Sequence, residues 1–220
     1  MTDKSQNHYL ALPKSGTGAG VLVLHAWWGL NDFFKELCER LAQAGFVALA
    51  PDLYHGQTAT TVEEAKRLRS KLKREQASAD ILAAVEQLRK LPAAVDGPLG
   101  VVGFSLGGHW ALWLSLEAPE TIGAVTVFYG TRNADYIRSQ AAYLGHFAET
   151  DEWVAASGVK KLEKSLRAAN RPVSFYTYPG TGHWFFEADR EDAYNPQAAQ
   201  LAWERTAAFF AANLPAGKPR

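Results

Sequence analysis

Residues 99–116 read LGVVGFSLGGHWALWLSL. The first six are apolar or glycine, the pattern of a strand covered on both faces, and from Leu106 onward the apolar residues continue as a helix. Between them stands Gly103-x-Ser105-x-Gly107. A serine in such a strand-to-helix turn is lifted clear of the carboxyl edge of the sheet. Side chains two residues to either side would collide with neighbouring backbone, so glycine is favoured there. The helix that follows offers free N–H groups and partial positive charge at its N-terminus, which favours a developing oxyanion. Ser105 is therefore the candidate nucleophile, and the N–H of Leu106 the first candidate oxyanion donor.

Outward from this junction, short apolar runs alternate with helical patterns. GVLVLHAWW, from Gly20, reads as a strand. Asn31–Asp32 opens a helix with Phe34, Leu37, Cys38 and Leu41 at helical spacing, and Gly45 ends it. FVALAPDLY is a strand and loop closed by Pro51 and Asp52. Val62 to Leu91 makes one long helix or two joined ones, with Leu68, Leu72, Ile81, Leu82, Val85 and Leu88 as the buried stripe. Its many charges read as a solvated helix face. IGAVTVFYG and AAYLGHFA are strands, a helix follows from about Ala155 to Ala169, RPVSFYTY is a strand ended by Pro179–Gly180, and the last helix runs from about Pro196 to Asn213. Strand–helix alternation implies the α/β class, with a mostly parallel sheet and helices on both faces. With no internal repeat and no Pro-, Gly- or Ser-rich linker, residues 1–220 are expected to form a single domain.

Composition narrows the partners. Among 220 residues, 23 Lys+Arg oppose 23 Asp+Glu, so the formal charge is 23 − 23 = 0 and neither nucleic acid nor an anionic membrane is the expected partner. One cysteine excludes an intramolecular disulfide framework and a Cys-cluster zinc site. The start, MTDKSQNHYLALPKSGTG, is polar and lacks the apolar core of a signal peptide, and no stretch approaches the ~18 apolar residues of a membrane helix. The expectation is a cytoplasmic protein, monomer or homodimer.

A nucleophilic serine needs a base, and with this type of turn the partners follow in the order Ser, acid, His. His183, in YPGTGHWFF, lies downstream in a loop after a late strand, with Gly180 and Gly182 beside it. His109 belongs to the serine's helix, His146 to a strand, His55 precedes the serine, and His8 is near the terminus. The loop in HFAETDEWV offers Glu149, Asp151 and Glu152. Asp151, the short carboxylate in the loop proper, is the candidate that would hold the His183 tautomer. Asp135, one strand earlier, is the alternative. The second oxyanion donor is expected from HAWWGLN, where Trp27 is the candidate and His25 either orients that loop or simply packs.

Together these motifs resemble the dienelactone hydrolase family of the α/β-hydrolase fold, from about Gly20 to the end of the final helix. HAWWGLN is similar to the family's early loop, APDLYHG to its Pro-Asp-Leu-Tyr segment, GFSLGG to its serine-bearing turn, HFAETDEWV to its acid loop and PGTGHWFF to its histidine loop. The resemblance implies hydrolysis of a small ester or lactone by a nucleophile–His–Asp triad, with no metal or organic cofactor. Three positions depart from the type enzymes: Ser105 replaces a cysteine, Ala26 a glutamate of the early loop, and Glu187 an arginine that binds the substrate carboxylate. The first two changes agree chemically, because a serine deprotonated by His183 during attack needs no group controlling a thiolate. Trp27, Trp28, Tyr54, Trp153 and Trp184 fall in loops at the carboxyl edge. They are expected either to line an apolar pocket for acyl or aryl groups or to pack the rim. Trp110, Trp113 and Trp203 read as core, and Cys38 as a small buried hydrophobe. A thioesterase or acyltransferase with the same triad, or a catalytically silent binding protein, would share these motifs, since fold does not fix substrate.

Overall fold

In the computed structural model, which describes residues 8–216, seven strands alternate with six helices. These residues gather into two compact units, one ending at Asp96 and one spanning Gly97–Pro215. Residues 1–7, the start of the polar N-terminal stretch discussed above, lie outside the described residues.

The first unit contains β1 (His8–Ala11), β2 (Gly20–Leu24), α1 (Asp32–Gln43), β3 (Val47–Pro51), α2 (Val62–Lys71) and α3 (Arg74–Lys90). β2 runs parallel to β3, while β1 pairs antiparallel on the other side, from His8↔Pro51 to Ala11↔Ala48. β1 has no counterpart in the sequence reading: four residues with three partly exposed carry no periodic signal. α1 follows its pattern closely. The Asn31 side chain accepts the Phe34 N–H, and Phe34, Leu37, Cys38 and Leu41 are buried. At its far end the N–H of Gly45 (φ +96) bonds Ala42 and that of Phe46 bonds Leu41, the two crossed bonds of a Schellman cap. The Cys38 thiol is fully buried, which raises its pKa. The charged segment resolves into two helices, because Leu72 and Lys73 are extended. Leu72 and Leu82 are only half-buried; Ala77 and Ala84 join Ile81, Val85 and Leu88 on the packed face instead.

The second unit contains β4 (Leu99–Phe104), α4 (Leu106–Glu117), β5 (Ile122–Phe128), β6 (Ala142–Ala148), α5 (Ala156–Ala168), β7 (Val173–Tyr178) and α6 (Pro196–Asn213). Its strands pair in the order β4-β5-β6-β7, all parallel. A Cβ on Gly100 would meet Phe210 and Leu214 at the end of α6, whereas one on Gly103 would meet Gly107 in α4. Residues three apart on a strand point to opposite faces. Within this unit, then, α4 covers one face of the sheet and α6 the other, and both β4 faces are apolar as the uninterrupted run requires.

His146 sits in the middle of β6, fully buried. Its hydrogen bonds form one directional chain. Arg205 donates to the Tyr178 hydroxyl (3.1 Å), which donates to His146 Nδ1 (2.7 Å). His146 Nε2–H donates to Thr206 Oγ1 (3.0 Å), and the Thr206 hydroxyl donates to the Ala202 carbonyl (2.9 Å). The chain ties β6 and β7 to α6 without leaving a ring nitrogen unsatisfied. Burial, reinforced by the Arg205 charge, holds the His146 pKa down to about 3. Among the described residues no helix is long and apolar enough to cross a membrane.

A histidine depressed from 6.5 to about 3 leaves stability intact above pH 6.5 and removes it as the pH falls, because only the unfolded chain takes up the proton. The slope is up to about 1.4 kcal/mol per pH unit. Denaturant titrations between pH 6.5 and 5 should therefore show wild type losing stability more steeply than His146→Gln, with the two curves parallel above pH 7.

Candidate active site

The turn between β4 and α4 is held from three sides. Ser105 adopts φ 50 and ψ −106, a conformation costing a non-glycine residue roughly 1–3 kcal/mol. Its N–H bonds the Phe128 carbonyl at the end of β5 (2.9 Å), and its own carbonyl receives the His109 N–H (3.1 Å). A Cβ at Gly103 would stand 2.2 Å from the Gly107 oxygen, and one at Gly130 would stand 2.9 Å from the Ser105 oxygen. Glycine at these positions lets strand, turn and helix approach closely enough to aim Ser105 Oγ outward. The N–H groups of Leu106 and Gly107 open α4, where no earlier helical carbonyl can receive them.

The partners of Ser105 are delivered by parallel pairing. β6 and β7 stay in register to Ala148↔Tyr178, and the pairing then continues into the loops. Glu149 Oε2 accepts the Gly180 N–H (2.9 Å), and the Thr150 N–H bonds the Thr181 carbonyl (3.1 Å). Asp151 and His183, 32 residues apart, are thereby set side by side. His183 Nδ1 lies 2.7 Å from Asp151 Oδ2 and its Nε2 lies 3.0 Å from Ser105 Oγ. The carboxylate can only accept, so Nδ1 carries the proton and Nε2 faces the serine hydroxyl. The other carboxylate oxygen, Oδ1, accepts the N–H groups of Trp153 (2.8 Å) and Val154 (2.9 Å). Side-chain exposure is 3% for His183 and 7% for Asp151, so the pair is shielded from water.

The alternatives fall elsewhere. Asp135 is exposed and its carboxylate accepts the Ile137 N–H. Glu149 ties the two loops together, and Glu152 is exposed. His109 is exposed, donating Nδ1–H to the Thr131 carbonyl (3.2 Å) and facing Arg132 through Nε2.

Within the first unit, His25 is fully buried, with Nδ1–H on the Ala26 carbonyl (2.6 Å) and Nε2 accepting the Leu53 N–H (3.1 Å). Burial lowers its pKa, so it is a neutral, satisfied histidine that fastens the loop after β2 to the loop after β3. Trp27, Trp28 and Tyr54 are buried in these two loops, Tyr54 with its ring 5.3 Å from that of His25.

In the second unit Trp153 is 41% exposed, its ring 5.8 Å from that of Trp184, which in turn lies 5.1 Å from the His183 ring. Trp110 and Trp113 are core and pack perpendicular to one another, but Trp203 is only half-buried, because it stands near the edge of the packed face of α6.

Sequence reasoning missed Tyr129 as a neighbour of the site. This residue follows β5 at φ 38, is fully buried, and places its ring 4.6 Å from that of His183. Its hydroxyl donates to Glu187 Oε1 at 2.6 Å. Glu187 is itself fully buried, and burial pushes its pKa up to about 8, which favours the uncharged acid at neutral pH. Among the described residues no group of three or more His, Cys, Asp or Glu forms a candidate metal site.

A mostly parallel α/β scaffold whose strand-to-helix turn projects a serine defines the class: this is an α/β-hydrolase-fold enzyme. The chain belongs to the dienelactone hydrolase family, which matches residues 7–214. It is 36% identical to Protein usf of Aquifex pyrophilus, covering 92% of this chain and 91% of that protein. It is 33% identical to a provisionally named carboxymethylenebutenolidase of Aquifex aeolicus over the same shares of both chains. A crystal structure of a provisionally named dienelactone hydrolase from Klebsiella pneumoniae superposes with a TM-score of 0.82 at 26% identity, over 93% of this chain and 92% of the other.

The crowding at the turn is directly testable. Gly103→Ala puts a methyl against backbone that cannot yield, and should lower unfolding free energy by about 3 kcal/mol or more. Gly100→Ala, which meets only the ends of the Phe210 and Leu214 side chains, should cost clearly less. Urea unfolding midpoints of the two variants make the comparison.

Proposed function

We propose that Ser105, His183 and Asp151 form a catalytic triad that hydrolyses a carboxylic ester or lactone through an acyl-enzyme. The observation that carries this reading is the unbroken chain Asp151 Oδ2–His183–Ser105 Oγ, at 2.7 and 3.0 Å. His183 Nε2 takes the Ser105 proton as Oγ attacks the carbonyl carbon. The Leu106 N–H, at the start of α4, stabilises the tetrahedral oxyanion. The Trp27 N–H, in the loop after β2, is proposed as the second donor on the strength of its sequence position. The imidazolium, steadied by Asp151, gives its proton to the leaving alkoxide. Water, deprotonated by the same nitrogen, then releases the acid and restores Ser105. In a lactone the alkoxide stays tethered to the acyl group, so the product is a single hydroxy acid. Every proton moves among Ser105, His183, substrate and water, so the mechanism calls for no metal or organic cofactor.

The surroundings favour an uncharged substrate. Glu187 is a buried neutral acid, so this position supplies no cation for a substrate carboxylate. The exposed ring of Trp153, packed on Trp184 beside His183, offers an aromatic surface to an acyl or aryl group. Trp28 and Tyr54 are proposed, on the strength of their sequence positions, as further substrate-binding residues.

A fluorophosphonate probe, located by peptide mass spectrometry, should label Ser105 in the purified protein and fail to label Ser105→Ala or His183→Ala. Asp151→Asn should lower kcat on the order of 10⁴-fold, because the wrong tautomer then faces the serine. An unlabelled but folded wild type would sink the mechanism. On a panel of neutral esters and lactones, Trp153→Ala should raise KM for bulky aryl esters about tenfold while leaving small acetates nearly unchanged. Equal effects on both substrate types would count against an aromatic binding surface.

A further inference from the structure

We infer that Tyr129 is a positioning residue for His183, and that Glu187 is the anchor that holds it there. The inference rests on the triad reading above and deepens it.

Tyr129 stands at a junction of the second unit. Its N–H bonds the His146 carbonyl (2.8 Å), the residue before it accepts the Ser105 N–H, and a Cβ on the residue after it, Gly130, would meet Ser105 and Gly108. The backbone at Tyr129 is therefore fixed relative to the serine, and φ 38 is tolerated because the surrounding contacts leave no alternative. From this fixed point the phenol ring lies against the imidazole of His183 on one side and the ring of Phe185 (5.7 Å) on another. The hydroxyl then reaches Glu187, four residues beyond His183 in the same loop. That loop curls back on itself, with the Glu187 N–H on the Trp184 carbonyl (2.9 Å), so the bond to Tyr129 closes a bracket around the imidazole. Asp151 fixes which way the ring of His183 turns; Tyr129 and Glu187 fix how far the loop carrying it stands from Ser105.

The bracket needs Glu187 uncharged. Its Oε2 is buried with no hydrogen-bond partner among the described residues, so an ionised carboxylate there would be poorly compensated. Tyr129, at the end of β5, and Asp189 and Arg190, in its own loop, are the groups acting on it, and Asp151 also acts on Tyr129. As the pH rises past about 8 the proton is lost and a negative charge, in addition to that of Asp151, arises in the loop that carries His183.

The test compares Tyr129→Phe, Glu187→Leu and Glu187→Gln, with rates expressed per fluorophosphonate-reactive serine. Tyr129→Phe and Glu187→Leu keep the bulk but cut the bond, and should lower kcat about tenfold with KM unchanged. Glu187→Gln can accept the same bond and should retain most of the wild-type kcat at pH 7. The pH profiles supply the reading that mere structural support would not move. Wild-type kcat should decline above about pH 8, whereas Glu187→Gln should hold its plateau further. Unchanged kcat in both bond-cutting variants, whatever their melting temperatures, would overturn the inference. If neither folds, identical alkaline limbs for wild type and Glu187→Gln would overturn it just as well. Ser105→Ala separates this from the parent reading: activity surviving in that variant dismisses the triad, whereas an inactive Ser105→Ala beside fully active Tyr129→Phe dismisses the bracket alone.

Discussion

The carbonyl oxygen of Gly107 stands 2.2 Å from the point at which any residue but glycine at 103 would carry its Cβ. That approach allows α4 to begin immediately where β4 ends, with a single residue between them to reverse direction. Ser105 takes the strain of the reversal in its backbone, and its N–H is satisfied across the sheet by Phe128 rather than by the helix. Strain of this order persists only where neighbours over-determine it. Here Gly103, Gly108 and Gly130 lack the side chains that would force strand, turn and helix apart, so the backbone itself holds Ser105 in the turn.

What the turn does for Ser105, sheet register does for the other two side chains. A parallel pair has no tight turn to fix its ends, yet β6 and β7 remain hydrogen-bonded into the loops beyond them, first through the Glu149 side chain and then through Thr150 and Thr181. Placement of Asp151 against His183 thus follows from pairing that begins at Tyr143↔Val173. Several polar groups around it are matched donor to acceptor. Asp151 uses both oxygens, His146 both nitrogens, and Tyr178 both accepts and donates. In an interior of low dielectric such matching makes a polar network rigid. Glu187 Oε2 is an exception, a buried oxygen with no hydrogen-bond partner among the described residues, and its pKa is raised to about 8 by that burial.

The parts of this architecture that repeat along the chain were legible in sequence: strands of continuous apolar residues, α1 with its caps, the final helix from Pro196, the serine turn, and the loops bearing Asp151 and His183. Alternation and glycine spacing carry such information because they reflect local sterics. β1 was not legible, since four residues at an edge bury too little to impose a pattern. The break between α2 and α3 is not readable from pattern, because Leu72 keeps helical spacing with Leu68 and only its extended backbone shows the interruption. Tyr129 and the acid state of Glu187 were hidden for a different reason. Tyr129 reads as the last apolar residue of a strand, and Glu187 only as the replacement of the family's carboxylate-binding arginine. Only their meeting, 58 residues apart in sequence, shows that one is anchored and the other neutral.

The burial of Cys38 has a practical side. It is the chain's sole cysteine, it lies on the packed face of α1 in the first unit, and the second unit has no thiol at all. A thiol reagent can therefore react with the folded protein only when α1 lifts away from its neighbours, and the rate of that reaction measures how often it does. On the proposed mechanism, fluorophosphonate uptake samples the integrity of the serine turn in the second unit. Followed side by side through a denaturant series, the two covalent reactions would tell whether the units open together or in sequence, with no residue of the native chain replaced.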